Sequence, residues 1–191
     1  QLKWFADEVN SGNAEMNARL TGNVDLSGIC GADAPWTPIG NKAAYEDYRG
    51  TFDGQGHKIT GLYLENKGTY NDVSSYYTGL FGLCDGATIK NVSVYGEGKS
   101  ITRYVAGIVG CACGVSTHRT TTIENCHNYV TLTGSPTNDQ IYGHAGVVAT
   151  AQDTVIRNCS NQADITGYEG YTGGIVAAAS NGSTVIENCW N

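Results

Sequence analysis

Gly107-Ile108-Val109-Gly110 and, further along, Thr122-Ile123-Glu124-Asn125-Cys126 are two apolar runs that recur through the chain. The other copies of the first run begin at Gly79, Gly146 and Gly174, and those of the second run begin at Thr88, Val155 and Val185. The Asn of the second run falls at positions 91, 125, 158 and 188, so successive copies lie 34, 33 and 30 residues apart. We call these four copies the aligned segments.

The aligned segments predict an all-β fold. Each segment holds short apolar strands separated by Gly, Asn, Asp or Ser, and none has a helical period long enough for a crossover helix. A single copy cannot bury its own apolar side, whereas stacked copies can. The sequence therefore predicts a right-handed parallel β-helix, a solenoid in which each segment forms one coil.

Charged residues support stacking in register. The residue before the recurring Asn is Lys90, Glu124, Arg157 and then Glu187, so the sign of the charge alternates. Neighbouring parallel strands lie about 4.8 Å apart, and opposite charges on adjacent strands attract. The recurring Asn itself suits a left-handed corner and predicts a ladder of amide hydrogen bonds between segments.

The beginning of the chain has a different pattern. Leu2, Phe5, Ala6 and Val9 recur at helical spacing, which predicts a short amphipathic helix over residues 1–10. We expect this helix to cap the apolar interior of the solenoid. The whole chain, 1–191, is then one β-helical domain, with the cap at 1–17, irregular first coils at 18–75 and repeats at 76–191.

The second apolar run predicts two interior columns. Ile89, Ile123, Ile156 and Ile186 share one position, and Cys126, Cys159 and Cys189 share another, where Val92 stands in the earlier copy. A position that accepts both Val and Cys is a small apolar site, and a free Cys behaves there as a buried hydrophobe. We therefore expect buried thiols at these three cysteines. The spacing of Cys30 and Cys84 leaves their redox state open.

The motif Gly79-Leu80-Phe81-Gly82 resembles that of the GLUG repeat family, and residues 107–110 form a close second copy. Residues 36–40 and 48–62 resemble the segment that often precedes such repeats. The resemblance implies a β-helical module of large surface or secreted bacterial proteins, including adhesin-like proteins and non-catalytic regions of some immunoglobulin-A proteases. Ala149 and Ala177 depart from the motif, because the family has Gly at that position.

Composition excludes some partners. The net charge is -7, with only 11 Lys and Arg residues and no basic run, so we expect no nucleic-acid partner. No stretch approaches the roughly 20 apolar residues that a membrane helix needs, so we expect no membrane insertion of this segment. The chain lacks an initiator Met and stops at Asn191 inside an aligned segment, so we expect it to be a fragment of a longer protein.

Soft metal ligands come close together in one part of the sequence. They are Cys111, Cys113, His118, Cys126 and His127. Their spacing matches no standard zinc motif, and the position of Cys111 holds Leu83 and Ala178 in other segments. We therefore expect no metal and no cofactor.

Paired carboxylates would be needed for a glycosidase. The candidates are Asp53, Asp85 and Asp153, but Asp53-Gly54 and Asp85-Gly86 are also typical turn dipeptides. No Ser or Cys lies in a recognisable nucleophile motif. The sequence thus predicts that the chain is not an enzyme, and a free-standing polysaccharide-degrading β-helix is the least favoured interpretation.

Tyrosines near the first apolar run give the candidate binding site. Tyr76, Tyr104 and Tyr171 lie three residues before the Gly of the run, and Tyr142 lies four before it. They predict an aromatic edge that either stacks between coils or binds a host glycan or host protein. We expect an extracellular module, on the cell surface or secreted, for adhesion or ligand display. The alternative is an accessory domain of a secreted protease or carbohydrate-active enzyme whose catalytic domain lies elsewhere.

Overall fold

The computed structural model describes residues 1–41, 47–65, 76–101, 103–113, 119–134, 143–167, 170–180 and 182–191. These residues form one short helix and strands that pair in parallel, which confirms the all-β prediction. No helix among them is long and apolar enough to cross a membrane.

The predicted helix is present as α1, Leu2–Asn10. It buries Leu2, Phe5, Ala6 and Val9, the residues whose spacing indicated it. The Phe5 ring lies 5.8 Å from the Tyr48 ring and 6.0 Å from the Phe52 ring, measured between centroids. The helix therefore covers the apolar interior beside the first strands of the sheet.

The strands of the described residues are numbered β1 to β18 in chain order and form three sheets. The first sheet contains β1 (Ala18–Arg19), β2 (Val24–Asp25), β3 (Thr51–Asp53), β4 (Lys58–Glu65), β7 (Thr88–Ile101), β10 (Thr121–Gly134), β13 (Thr154–Arg157), β14 (Ser160–Asn161), β15 (Ile165–Thr166) and β18 (Val185–Glu187). The second contains β5 (Tyr77–Thr78), β8 (Tyr104–Ala106), β11 (Gly143–Ala145) and β16 (Tyr171–Gly173). The third contains β6 (Phe81–Cys84), β9 (Val109–Ala112), β12 (Val148–Ala151) and β17 (Val176–Ala179).

Strand order follows the order of the aligned segments. The first sheet runs β1-β3-β7-β10-β13-β18, the second β5-β8-β11-β16 and the third β6-β9-β12-β17. Neighbours within each sheet come from successive segments, and all of these pairs are parallel. Each segment thus contributes a strand to all three sheets, and the interior lies between them.

The isoleucine column is confirmed by the register. Ile123 pairs with Ile89 on one side and with Ile156 on the other, and Ile156 pairs with Ile186. The first three side chains are completely buried, but Ile186 is 49% exposed. The expected burial of Ile186 is wrong because β18 lies at the edge of the sheet and has a neighbour on one side only.

The cysteine column lies beside it. Cys126 pairs with Val92, and the Cys126, Cys159 and Cys189 thiols are all free. The Sγ atom of Cys126 donates to the Ile89 carbonyl of the preceding segment at 3.5 Å, and Cys159 and Cys189 repeat this contact. Burial raises the pKa of the Cys126 thiol well above its usual value. Cys189 is only half-buried, contrary to expectation, because it follows the edge strand β18.

The recurring Asn residues occupy the predicted left-handed corner. Their φ angles are 57°, 50°, 53° and 51° at Asn91, Asn125, Asn158 and Asn188. The Asn125 side-chain amide donates to Asn91 Oδ1 at 3.1 Å, and the Asn91 amide donates to Asp53 Oδ1 at 3.0 Å. Amide hydrogen bonds therefore join Asp53, Asn91 and Asn125, and the predicted ladder is present over these corners only, since no such bond to Asn158 or Asn188 occurs among the described residues.

A second Asn ladder lies inside the protein and was not predicted. Asn128 is buried, and its Nδ2 donates to Asn161 Oδ1 at 2.7 Å, while Asn161 donates to Asn191 Oδ1 at 2.6 Å. A Cβ atom on Gly107 would collide with Asn128 Oδ1, and one on Gly146 would collide with Asn161 Oδ1. The first Gly of the apolar run is therefore required by this ladder.

The second Gly of the run has a different role. A Cβ atom on Gly110 would lie 2.6 Å from the backbone nitrogen of Thr78, so the second and third sheets touch through their backbones there. In the later segments Ala149 and Ala177 take this position and pack in a small cluster with Ala145. The departures from the motif are thus accommodated by local packing.

We expect Ile156→Ala to lower the free energy of unfolding by roughly 2 to 5 kcal/mol, because it removes a completely buried side chain from the middle of the column. Ile186→Ala is the matched control, since Ile186 has the same register position but is 49% exposed. Chemical denaturation of both variants measures the difference. Equal losses of unfolding free energy in the two variants would contradict an isoleucine column that is buried at Ile156 and exposed at Ile186.

We expect denatured protein, without reductant, to show five free thiols, because Cys30, Cys84, Cys126, Cys159 and Cys189 are free. In the folded protein a thiol reagent should modify Cys189 first, since the other four are buried. Mass spectrometry after alkylation identifies the sites. Rapid native labelling of Cys126 or Cys159 would contradict the interior column.

Candidate binding face

The predicted tyrosine edge is only partly assembled. Tyr104 and Tyr171 occupy the same register position on β8 and β16, with Gly143 of β11 between them. The residue paired with Tyr104 on the other side is Tyr77, and the two rings stack with centroids 5.6 Å apart. Tyr142 lies outside the described residues. The predicted tyrosine edge is thus interrupted at Gly143.

Tyr76 lies one residue away from the predicted register. The Arg103 guanidinium carbon sits 3.8 Å from the centroid of the Tyr76 ring, and the Arg103 side chain is buried. One face of Tyr76 is therefore covered by a cation–π contact. Among the three members of the edge that the structure describes, Tyr171 is the exposed one, with 65% of its surface accessible.

A second surface, which was not predicted from the sequence, lies on the outer side of β7 and β10. Burial alternates along these strands, so that residues two apart point outward together. We call this surface the polar–aromatic face and define it by eight residues in two rows. The first row is Lys58, Ser93, His127, Ser160 and Trp190, of which Ser160 is completely buried, and the second is Tyr95, Tyr129 and Gln162.

The two tyrosines of this face stack on each other. The Tyr95 and Tyr129 rings are nearly parallel, with an interplanar angle of 3° and centroids 4.3 Å apart. Lys58 Nζ lies 5.5 Å from the Tyr95 centroid, and Gln162 Nε2 donates to Tyr129 Oη at 2.9 Å. Because the rings cover each other, they present mainly their edges and hydroxyl groups to a ligand.

The first row joins an imidazole, a hydroxyl and an indole. His127 Nδ1 and Ser160 Oγ are 2.9 Å apart, and the Trp190 ring centroid is 5.9 Å from that of His127. Burial lowers the pKa of His127, which favours its neutral form. Trp190 is 53% exposed and offers an accessible aromatic surface beside a neutral imidazole.

His127 and Ser160 lie at the separation expected of a general base and a nucleophile. Ser160, however, is completely buried, and no hydrogen bond to His127 Nε2 occurs within the part of the chain that the structure describes. A catalytic pair needs a nucleophile that reaches the substrate and a group that orients the base. The contact is therefore better explained as a link between neighbouring strands.

An open depression of about 530 Å³ adjoins the first row. It is lined by Ser93 and His127 of the first row and by the corner residues Gln55, Asn91 and Asn125. These side chains offer hydroxyl, amide and imidazole groups, which can both donate and accept hydrogen bonds. The depression extends the polar–aromatic face toward the outer Asn ladder.

The candidate soft metal ligands named in the sequence do not come together among the described residues. Cys111 and Cys113 form a disulfide bond, which removes both from any ligand set. Cys126 points into the core while the following residue, His127, points outward, and His118 lies outside the described residues. Within the described ranges no three His, Cys, Asp or Glu side chains gather as a metal site.

The candidate carboxylates have local roles. Asp53 Oδ1 accepts from the backbone nitrogen of Gln55 at 2.9 Å, and Asp153 Oδ1 accepts from that of Ser183 at 2.9 Å. Burial acts to raise the pKa of Asp53, but hydrogen bonds from Asn91 and Gln55 and the nearby Lys90 ammonium lower it overall. Asp85 is buried. The bond between Asp53 and Gln55, two residues apart, supports the turn interpretation of Asp53-Gly54, whereas the bond of Asp153 joins two successive segments.

His144 is a buried histidine of the second sheet. Its side chain is completely buried, and neither ring nitrogen has a hydrogen-bond partner in the described structure. It pairs in register with Val105 on one side and Thr172 on the other. Burial lowers the pKa of His144, so the folded protein holds this imidazole neutral.

We expect acid to destabilise the fold through His144. The unfolded chain protonates this residue near pH 6.5 and the folded chain only at lower pH, so stability should be complete above about pH 6.5 and decrease below it. His144→Val, which copies Val105, should flatten the stability profile below about pH 6.5. Denaturation at several pH values measures the difference. Parallel profiles for the two proteins would contradict the prediction.

No protein-family model, no curated protein and no solved structure matches the chain.

Proposed function

We propose that this chain is a right-handed parallel β-helix that serves as a non-catalytic, extracellular glycan-binding module of a bacterial surface or secreted protein. The parallel pairing of successive segments supports the helical winding, because connections between parallel strands are almost always right-handed. The resemblance of residues 79–82 to the GLUG motif supports the placement on a bacterial surface.

The main support for a binding role is the polar–aromatic face. Its two rows repeat hydroxyl, imidazole, amide and aromatic groups from strand to strand, at a spacing of about 4.8 Å. A regular scaffold that presents variable polar groups at a fixed spacing is suited to an extended ligand that itself repeats. A polysaccharide has this property, and its many hydroxyl groups match the donors and acceptors of the face.

The aromatic residues favour a sugar over a peptide. The accessible indole of Trp190 can stack on the apolar side of a sugar ring, while neutral His127 beside it can exchange hydrogen bonds with ring hydroxyls. The net charge of -7 disfavours a strongly anionic polymer. We therefore propose a neutral glycan as the ligand and the polar–aromatic face as its site.

The test is a glycan array followed by calorimetric titration with the best ligand. We expect Trp190→Ala and His127→Ala each to weaken binding by about tenfold or more, which corresponds to about 1.4 kcal/mol. Tyr171→Ala is the matched control, because Tyr171 is an exposed aromatic residue on another sheet. Circular dichroism of each variant verifies that the fold is kept.

Each outcome decides between surfaces. Loss of affinity in Tyr171→Ala or Tyr104→Ala, with Trp190→Ala unaffected, would place the ligand on the predicted tyrosine edge instead. Unchanged affinity in all four variants would reject both surfaces. The bound glycan should remain intact after prolonged incubation, and release of shorter fragments that a point substitution abolishes would overturn the non-catalytic proposal.

A further inference from the structure

Cys111 and Cys113 form the one disulfide among the seven cysteines, all of which the structure describes. The bond spans a single intervening residue, Ala112. A disulfide stabilises a fold mainly by restricting the unfolded chain, and the restriction grows with the length of the closed loop. A bond across one residue restricts the unfolded chain very little, so structural reinforcement does not explain its presence.

The backbone around this disulfide is held without it. The Cys113 nitrogen donates to the Cys84 carbonyl at 3.1 Å, and the Ala112 carbonyl accepts from the Gln152 nitrogen and the Thr154 hydroxyl, each at 2.8 Å. Strands β6 and β12 flank β9 on both sides. Breaking the sulfur–sulfur bond would therefore leave both cysteines in place, with their Cα atoms 5.6 Å apart.

The two cysteine residues differ in accessibility. Cys111 is completely buried within β9, whereas Cys113 is half-buried at the residue that follows the strand. An attacking thiolate needs access to the sulfur that it attacks. Access therefore favours attack at Cys113, with Cys111 as the leaving group.

We propose that Cys111 and Cys113 form a redox-active pair that exchanges with low-molecular-weight thiols. In the first step a thiolate attacks Cys113 Sγ, the Cys111–Cys113 bond breaks, and Cys111 leaves as a thiolate that takes up a proton. A second thiolate then attacks the thiol-derived sulfur of the mixed disulfide and releases Cys113. The products are one oxidised thiol dimer and two protein thiols, so the two electrons go from the small thiols to the pair.

Re-formation of the Cys111–Cys113 disulfide from the two thiols is favoured by geometry. After reduction the fixed backbone keeps the two thiols within the Cα separation of a disulfide, so closure of a mixed disulfide at Cys113 by Cys111 is intramolecular. The five other cysteines are free, and four of them are buried. We expect exchange in the folded protein to involve this pair and the half-buried Cys189 thiol, but not the four buried thiols.

The experiment equilibrates folded protein in glutathione buffers of increasing reducing strength, quenches with acid, alkylates and maps the cysteines by mass spectrometry. We expect the pair to convert to two thiols with unchanged circular dichroism, while Cys30, Cys84, Cys126 and Cys159 stay unlabelled until the protein is denatured. Reduction of the pair only under conditions that unfold the protein would overturn the proposal. So would finding both cysteines as thiols in air-oxidised protein.

Two variants test which sulfur is attacked. Cys111→Ser, given oxidised glutathione, should accumulate one glutathione per chain at Cys113, and Cys113→Ser should accumulate about tenfold less at Cys111, because Cys111 is buried. Cys30→Ser is the control, since a hydroxyl can keep the contacts of Cys30 with Tyr63, and it should leave exchange unchanged. Equal trapping in the first two variants would reject Cys113 as the site of attack. Peptide mapping of the unaltered protein provides an independent readout if a variant does not fold.

Discussion

The inner Asn ladder is the constraint on which the rest of the structure depends. The Asn128 and Asn161 side chains are buried, so their amides must find partners inside the protein. They find them in the next Asn along the ladder and in nearby backbone groups, as when Asn128 Oδ1 accepts from the Val130 nitrogen at 3.1 Å. These amides also occupy the space beside Gly107 and Gly146. The ladder thus fixes the register of the first sheet and requires glycine where the second sheet passes into the third.

Much of this architecture could be predicted because register and repetition are linked. A position that recurs in sequence must recur in space once the segments stack in parallel, so the isoleucine, cysteine and outer Asn columns followed from alignment alone. The inner ladder left an equally clear signal, since Asn125-Cys126-His127-Asn128 recurs as Asn-Cys-x-Asn at 158–161 and 188–191. The partial exposure of Ile186 and Cys189 at the edge of the first sheet could not be predicted from the sequence of any single segment.

The candidate sites were less predictable because they depend on one-residue shifts in strand register and on local backbone shape. Tyr76 and Tyr104 share a sequence offset from the Gly, yet the pairing between β5 and β8 is displaced by one residue from that between β6 and β9. Tyr95 and Tyr129 each lie four residues after the recurring Asn, a regularity that indicates their stacking once the strands are known to extend that far. The bonding of Cys111 to Cys113 depends on local backbone shape at the end of β9, which sequence spacing does not describe.

The alternating charges have an evolutionary consequence. Lys90, Glu124, Arg157 and Glu187 stand side by side on successive strands. Deleting one whole segment would bring like charges together, for instance Lys90 against Arg157 if the Glu124 segment were lost, at a cost of a few tenths of a kcal/mol to about 1 kcal/mol. Deleting or duplicating two segments at once would preserve the alternation. Recombination within such a gene should therefore be tolerated better when it adds or removes an even number of segments. The apolar interior alone would not impose this preference for even numbers.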